Sequence, residues 1–199
     1  MDSINVGIYI GRFQPLHSAH LSTIIEGCKN EDHIIVFIAS ANIHNERNPY
    51  NSVIRTEFIT KSIESINSAY LHKLSIITID DTIQYQNAID TGEWYKTLSD
   101  KITENLDSIY KHKTYNLYLY GARKDASTTV YINKIMTLSI IKNTKLIDPI
   151  TVDEETTLNA TEIRALINEN PPEKLKELLL KNNVNEAVIN IIIREKMMI

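Results

Sequence analysis

The feature that most constrains this 199-residue chain is a series of short, β-branched apolar segments separated by stretches of helical length. Val6-Gly7-Ile8-Tyr9-Ile10, His33 to Ala39, Leu74 to Ile79, Tyr115 to Tyr120 and Lys145 to Ile150 each read as a strand. Several are apolar almost throughout rather than alternating, the pattern of strands buried on both faces. Between them, Ser18 to Lys29 sets Leu21, Ile24, Ile25 and Cys28 on one helical face. Ser52 to Asn67 does the same with Ile54, Phe58, Ile59, Ile63 and Ile66. Glu93 to Tyr110 and Val130 to Ile141 read as further helices. Strands alternating with helices predict an α/β fold, a parallel sheet with helices on both faces. Thr161 to Asn168 opens another helix, which Pro171-Pro172 breaks. Glu173 to Lys181 and Asn185 to Lys196 then form closing helices, so residues 171–199 complete a single domain over 1–199.

Sheets of this kind bind ligands beyond the carboxyl ends of their strands. The loops after the first, second and fourth strands are therefore where function is expected. The first strand runs into Gly11-Arg12-Phe13-Gln14-Pro15-Leu16-His17-Ser18-Ala19-His20. Gly11 permits close backbone approach, and Arg12 places a fixed charge at the strand end. His17 and His20 are three apart and share a face at a helix start, where unpaired N–H groups and the helix dipole favour anions. Together these make a cradle for a polyphosphate. A second anchor is Leu158-Asn159-Ala160-Thr161-Glu162-Ile163-Arg164. Here Thr161 serves as an N-cap or a phosphate-facing hydroxyl, and Arg164 points the same way from the first turn.

Composition narrows the partners. Hydrophobic residues make up 43% and charged residues 23%, which excludes a disordered chain. Cys28 is the single cysteine, so neither an intramolecular disulfide nor a multi-cysteine zinc site is available. The formal charge of −4 argues against a nucleic-acid coat or a polybasic membrane surface. The basic residues around Lys111 to Lys113 and Arg123-Lys124 do not outweigh it. No stretch reaches the ~20 apolar residues of a membrane span, and Met1-Asp2-Ser3 lacks a signal peptide's positive start. A soluble, cytoplasmic protein is expected; the sequence leaves self-association into a homo-oligomer open.

Gly-Arg-Phe-Gln-Pro-x-His-x-x-His early and Thr-x-Ile-Arg late resemble the nucleotidyltransferase superfamily, with its Rossmann-like fold and paired histidines. Within it, the Gly-Arg-Phe-Gln-Pro version is similar to nicotinamide-mononucleotide (NMN) adenylyltransferases of the archaeal type, and to the adenylyltransferase half of bifunctional enzymes carrying a Nudix domain. Ser40-Ala41 through Arg47-Asn48-Pro49-Tyr50 to Arg55 resembles that family's second loop and helix. Gly121-Ala122-Arg123-Lys124-Asp125 resembles the bifunctional enzymes' fourth-strand loop. The similarity runs from about Val6 to Arg164. Ala19 stands where the family has Gly and Ala122 where it has His. The segment Pro171 to Ile199 is too short for a Nudix domain.

The resemblance implies transfer of an adenylyl group from ATP to NMN, giving NAD and pyrophosphate. It implies catalytic roles for His17, His20, Arg12 and Arg164. It implies ATP contacts from Gly11, Gly121, Lys124, Asp125 and Thr161 in addition to those four. NMN would meet Arg47, Ser40 and Trp94. Trp94, the single tryptophan, suits stacking on a cationic ring; core packing is its ordinary alternative, and Tyr95 is its rival for the role. Mg2+ would be held mainly by ATP phosphates, with no protein ligand named. The competing expectations are another enzyme of the superfamily, acting on nicotinate mononucleotide or a different phosphate acceptor, and a nucleotide sensor without turnover.

Overall fold

The computed structural model describes residues 3–81, 93–111, 113–122, 135, 141–147 and 158–198. Five parallel strands form one sheet: β1 (Ser3–Gly11), β2 (His33–Ile38), β3 (Leu74–Thr78), β4 (Thr114–Ala122) and β5 (Ile141–Ile147). Their spatial order is β3-β2-β1-β4-β5. Growth of the sheet reverses direction between β1 and β4, so the ends of those two strands flank the crevice where such sheets hold ligands.

The helices are α1 (Ser18–Asn30), α2 (Ser52–Asn67), α3 (Glu93–Ile109), α4 (Ala160–Glu169), α5 (Pro172–Lys181) and α6 (Glu186–Met197), with a 3-10 segment at Ser68–Lys73. They cover both faces of the sheet, and strand parity decides which residue meets which layer. Ile34, Val36 and Ile38 of β2, with Tyr9 and Tyr120, join a cluster built from α1, α2, α4, α5 and α6. Ile35 and Phe37, with Val6, Ile8, Leu117 and Leu119, pack against Trp94, Leu98, Ile102 and Leu106 of α3. All six residues of β2 are buried, as expected of a central strand covered twice. Gly27 is where α1 comes down on β2: a Cβ there would lie 2.2 Å from Ile34 Cδ1.

Local chemistry sets the helix starts. Asn51 caps α2 by accepting the Ile54 N–H at 3.0 Å. Asn185 caps α6 through Ala187, and Pro172 occupies the first turn of α5. Arg194 of α6 grips Glu57 of α2 through both guanidinium nitrogens, at 2.7 and 2.8 Å. Lys196 Nζ bonds the carbonyls of Ile167 and Asn170 at the end of α4. No helix among the described residues is long and apolar enough to cross a membrane.

The boundaries differ from expectation in three places. β1 begins at Ser3, because Ser3, Ile4 and Asn5 pair with Thr114 to Asn116 of β4 although two of them are polar. Ile141 opens β5 and pairs with Leu117 instead of ending a helix. Of the rest of the helix expected over Val130 to Ile141, Ile135 alone lies inside the described residues, where it is helical and buried. The polar stretch 82–92 and the end of the fifth predicted strand, 148–150, lie outside them.

Candidate active site

The loop leaving β1 is built around a filled space. Phe13 takes a left-handed backbone, with φ 51°, and is fully buried. Its ring occupies the volume in front of Gly11, where a Cβ would stand 2.8 Å from Phe13 Cζ. Gly11 is thus required for an aromatic to fold back over the strand end, not only for the ligand approach anticipated from sequence. The same ring meets His20 edge-on, with centroids 5.0 Å apart.

His17 and His20 lie together as expected. Their rings stack, with centroids 3.7 Å apart and 26° between planes. His17 is the N-cap residue of α1 and its side chain makes no capping bond, so the first-turn amides are not claimed by it. Burial, then His17, then Arg12 hold the His20 pKa well below the ordinary value. Its Nδ1 is buried and has no hydrogen-bond partner among the described residues. His20 is therefore a neutral imidazole stacked on His17 at the mouth of a helix, with an exposed Arg12 beside it.

Arg164 reaches this loop from 150 residues away. Its Nη1 donates to the Gln14 carbonyl at 2.6 Å, and Nη2 donates to Thr161 Oγ1 at 3.1 Å. Burial lowers its pKa, and the charges of Arg12 and Arg47 lower it further. Arg12 and Arg47 thus each lie within electrostatic reach of Arg164. Thr161 is not the N-cap of α4. Asn159 is, accepting the N–H groups of Thr161 and Glu162 at 2.9 and 3.1 Å while Glu162 returns a bond to the Asn159 N–H. This capping box leaves the Thr161 hydroxyl to orient Arg164.

The loop after β2 carries Ser40 and Arg47. Ser40 is buried with φ 51°, and its hydroxyl donates to the Asp81 carboxylate. Asn42 holds the Asp81 backbone from both sides: Asn42 Nδ2 donates to the carbonyl at 2.7 Å and Oδ1 accepts the N–H at 2.9 Å. Arg47 is exposed, on a turn closed by Asn45 and Asn48. Arg55 of α2, in contrast, is wholly buried. Arg55 Nη1 donates to the carbonyls of Arg12 and Ala39, at 3.1 and 2.7 Å. Nη2 donates to those of Ser40 and Ala41, at 3.1 and 3.4 Å. Burial brings its pKa down to about 10. One guanidinium thus ties the end of β1 to the end of β2.

Gln14 and Arg55 carry structural roles that the sequence did not assign them. The Asn159 cap had a readable signal, Asn followed three residues later by Glu. Gln14 and Arg55 had none, because their partners are backbone atoms of distant loops.

Trp94 is 3% exposed and packs edge-to-face with Tyr95, centroids 5.3 Å apart. It shares a cluster with Ala39 and Ile79, at the site ends of β2 and β3. The structure therefore puts it in the core directly under the second loop. Gly121 is buried at the end of β4, opposite Leu146. Lys124 and Asp125 lie outside the described residues. Among the described residues, no three His, Cys, Asp or Glu side chains cluster closely enough to hold a metal ion.

The model of the family described as cytidylyltransferase-like matches residues 8–166. A nicotinamide-nucleotide adenylyltransferase of Methanoculleus marisnigri is 28% identical over 116 residues, 58% of this chain and 62% of that protein. The match thus spans less than two thirds of that relative. A crystal structure of a bifunctional NMN adenylyltransferase/ADP ribose pyrophosphatase from Francisella tularensis superposes with TM-score 0.62 at 25% identity, covering 83% of this chain and 42% of that one. A second structure of that name from the same organism, complexed with AMP and manganese, gives TM-score 0.59 at 22% identity, covering 98% and 53%.

Proposed function

Because the chain belongs to the cytidylyltransferase-like family, we propose that it transfers the adenylyl group of ATP to NMN, forming NAD and pyrophosphate. The observation that carries this reading is the Arg164 guanidinium held on the Gln14 carbonyl, in the same loop that carries Arg12 and leads into the stacked His17–His20 pair, at the sheet's switch point. Fixed cations and a pair of imidazoles are suited to a reaction in which two phosphate-bearing substrates must meet. The adenylyltransferase relative supports the choice of substrates.

In this reading the 5′-phosphate of NMN attacks the α-phosphorus of ATP in line, and pyrophosphate leaves. No covalent enzyme intermediate forms, so the protein contributes orientation and charge stabilisation. His17 and His20 lie along the ATP phosphates, His20 nearest the α-phosphate. A neutral His20 can donate one N–H there without the repulsion that two adjacent imidazolium rings would suffer. Arg12 and Arg164 offset charge on the transferring and leaving groups, and Thr161 holds Arg164 in place. Gly11 lines the phosphate path; Gly121, Lys124 and Asp125 border the adenosine. Arg47 takes the NMN phosphate, Ser40 lies next to it, and Trp94 offers a ring to the nicotinamide. A Mg2+ ion bound to the triphosphate would neutralise part of its charge, carried mainly by the substrate and with no side chain of this chain named to hold it.

The test is NAD formation from NMN and ATP, followed through an NAD-dependent dehydrogenase. The proposal expects NAD to accumulate with both substrates and with neither alone. No NAD at millimolar substrates and Mg2+ would refute it.

A further inference from the structure

We propose that Gln14 is a positioning residue for the adenylyl transfer, setting the spacing between the arginines that hold the two substrates' phosphates. The proposal rests on the function given above and assigns a role to a residue whose side chain is buried and bonded to the Tyr50 backbone.

Arg12, Arg47 and Arg164 come from three separate segments: the loop after β1, the loop after β2 and the first turn of α4. Arg12 and Arg47 each act on Arg164, disfavouring its charged state. Left to themselves, three like charges spread apart. Each segment, however, is fastened to one neutral residue. The Gln14 side chain is 2% exposed and grips Tyr50, three residues after Arg47, from both sides. Gln14 Nε2 donates to the Tyr50 carbonyl at 2.7 Å, and Gln14 Oε1 accepts the Tyr50 N–H at 3.0 Å. The Gln14 carbonyl accepts Arg164 Nη1 at 2.6 Å. Arg12 precedes Gln14 by two residues. All of Gln14's side-chain bonds are thus to backbone, in a planar pair resembling one rung of a sheet. An uncharged amide does this without adding charge among the cations, and a planar two-point contact fixes orientation as well as distance. Tyr50 is itself anchored below, its ring edge-on to Phe58 of α2 with centroids 5.0 Å apart.

A residue that holds the substrate-binding arginines in register should act on the step that needs both phosphates aligned. Misplacement by about an ångström far from the chemistry can cost ~10²-fold. Gln14→Met keeps the length and burial of the side chain and removes both bonds to Tyr50. It is expected to lower kcat by roughly tenfold to a hundredfold, while ATP binding measured alone by calorimetry changes less than about threefold. Combined with Arg47→Ala, it should lower kcat/KM by much less than the product of the separate losses, because the Arg47 end of the link is already gone. Gln14→Glu, which keeps the acceptor for the Tyr50 N–H and loses the donor to its carbonyl, should show the same pattern and guards against a Met variant that fails to fold. Full kcat in a folded Gln14 variant, or losses that multiply independently with Arg47→Ala, would overturn the proposal. A wild-type chain that makes no NAD would instead overturn the function it rests on, and so is told apart.

Discussion

Arg55→Lys isolates what a planar fork does at the base of the site. The arginine meets four carbonyls through two nitrogens, two of them at each nitrogen, with distances from 2.7 to 3.4 Å. A lysine ammonium is a single point of charge. Placed where either nitrogen sits, it serves two of those carbonyls and leaves the other two without their charged donor. Hydrogen bonds to a charged donor contribute roughly 1.5–3 kcal/mol each, so losing two removes about 3–6 kcal/mol. Water entering the vacated space returns part of this, leaving an expected loss of about 3 kcal/mol. That is a large share of the roughly 5–15 kcal/mol that stabilises a domain. Urea denaturation of the two proteins, with equal m-values, measures it directly. At temperatures where the variant stays folded, NAD formation should still fall, because the Arg12 and Ser40 backbones are no longer tied together. An Arg55→Lys protein within 1 kcal/mol of the wild type would show that charge, not the fork, is what the buried position needs.

Arg47→Ala is expected to raise the KM for NMN by about tenfold with a smaller effect on ATP, since it removes a charged contact to a ground-state phosphate; the reverse pattern in initial-rate measurements would exchange the two phosphate sites. Trp94→Ala should destabilise by about 3–5 kcal/mol in urea, the cost of truncating a buried aromatic. NMN, but not ATP, should quench the single tryptophan's fluorescence; an unquenched signal at saturating NMN would remove Trp94 from the substrate site and leave Tyr95 as the candidate. His33 is buried beside the Ser75 hydroxyl, with its ring edge-on to Tyr110, and burial lowers its pKa to about 4. Between its ordinary value of 6.5 and that value the unfolded chain binds a proton the folded one does not, so stability drops as pH falls. His33→Gln should remove about 2 kcal/mol of the stability difference between pH 7 and pH 5, read from urea curves at both; an unchanged difference would show that His33 does not titrate in this range.

The strands were legible because apolar β-branched runs buried on both faces leave few other readings, and β2 is buried at every position. Helix α2 shows its limits in sequence as well, with Asn51 ready to cap it and an isoleucine stripe along its length. The paired histidines were legible because three-residue spacing at a helix start dictates proximity. What sequence could not carry were contacts in which a side chain meets distant backbone. Gln14 to Tyr50, Arg55 to four carbonyls, and Asn42 to Asp81 follow no periodicity and depend on loops brought together only by the finished sheet. Trp94 shows a different limit: its size and position suit both a core ring and a stacking ring, and only the fold shows it packed under the second loop at 3% exposure. Thr161 was misplaced by two residues because Asn159 and Thr161 both have the chemistry of a cap; the reciprocal bond from Glu162 selects Asn159.

The proposed reaction requires that the adenylyl group of ATP, and nothing else of it, pass to a pyridine mononucleotide at the His17–His20 site. Radiolabelled ATP tests this directly, with NMN and nicotinate mononucleotide supplied side by side. With label on the α-phosphorus, radioactivity should appear in NAD. With label on the γ-phosphorus, it should appear in pyrophosphate in equal amount. His20→Ala, folded by circular dichroism, should slow both by about a hundredfold or more, the scale of losing a positioned donor to developing charge. Label released as orthophosphate, NAD free of the α-label, or a His20→Ala rate equal to the wild type would contradict the account.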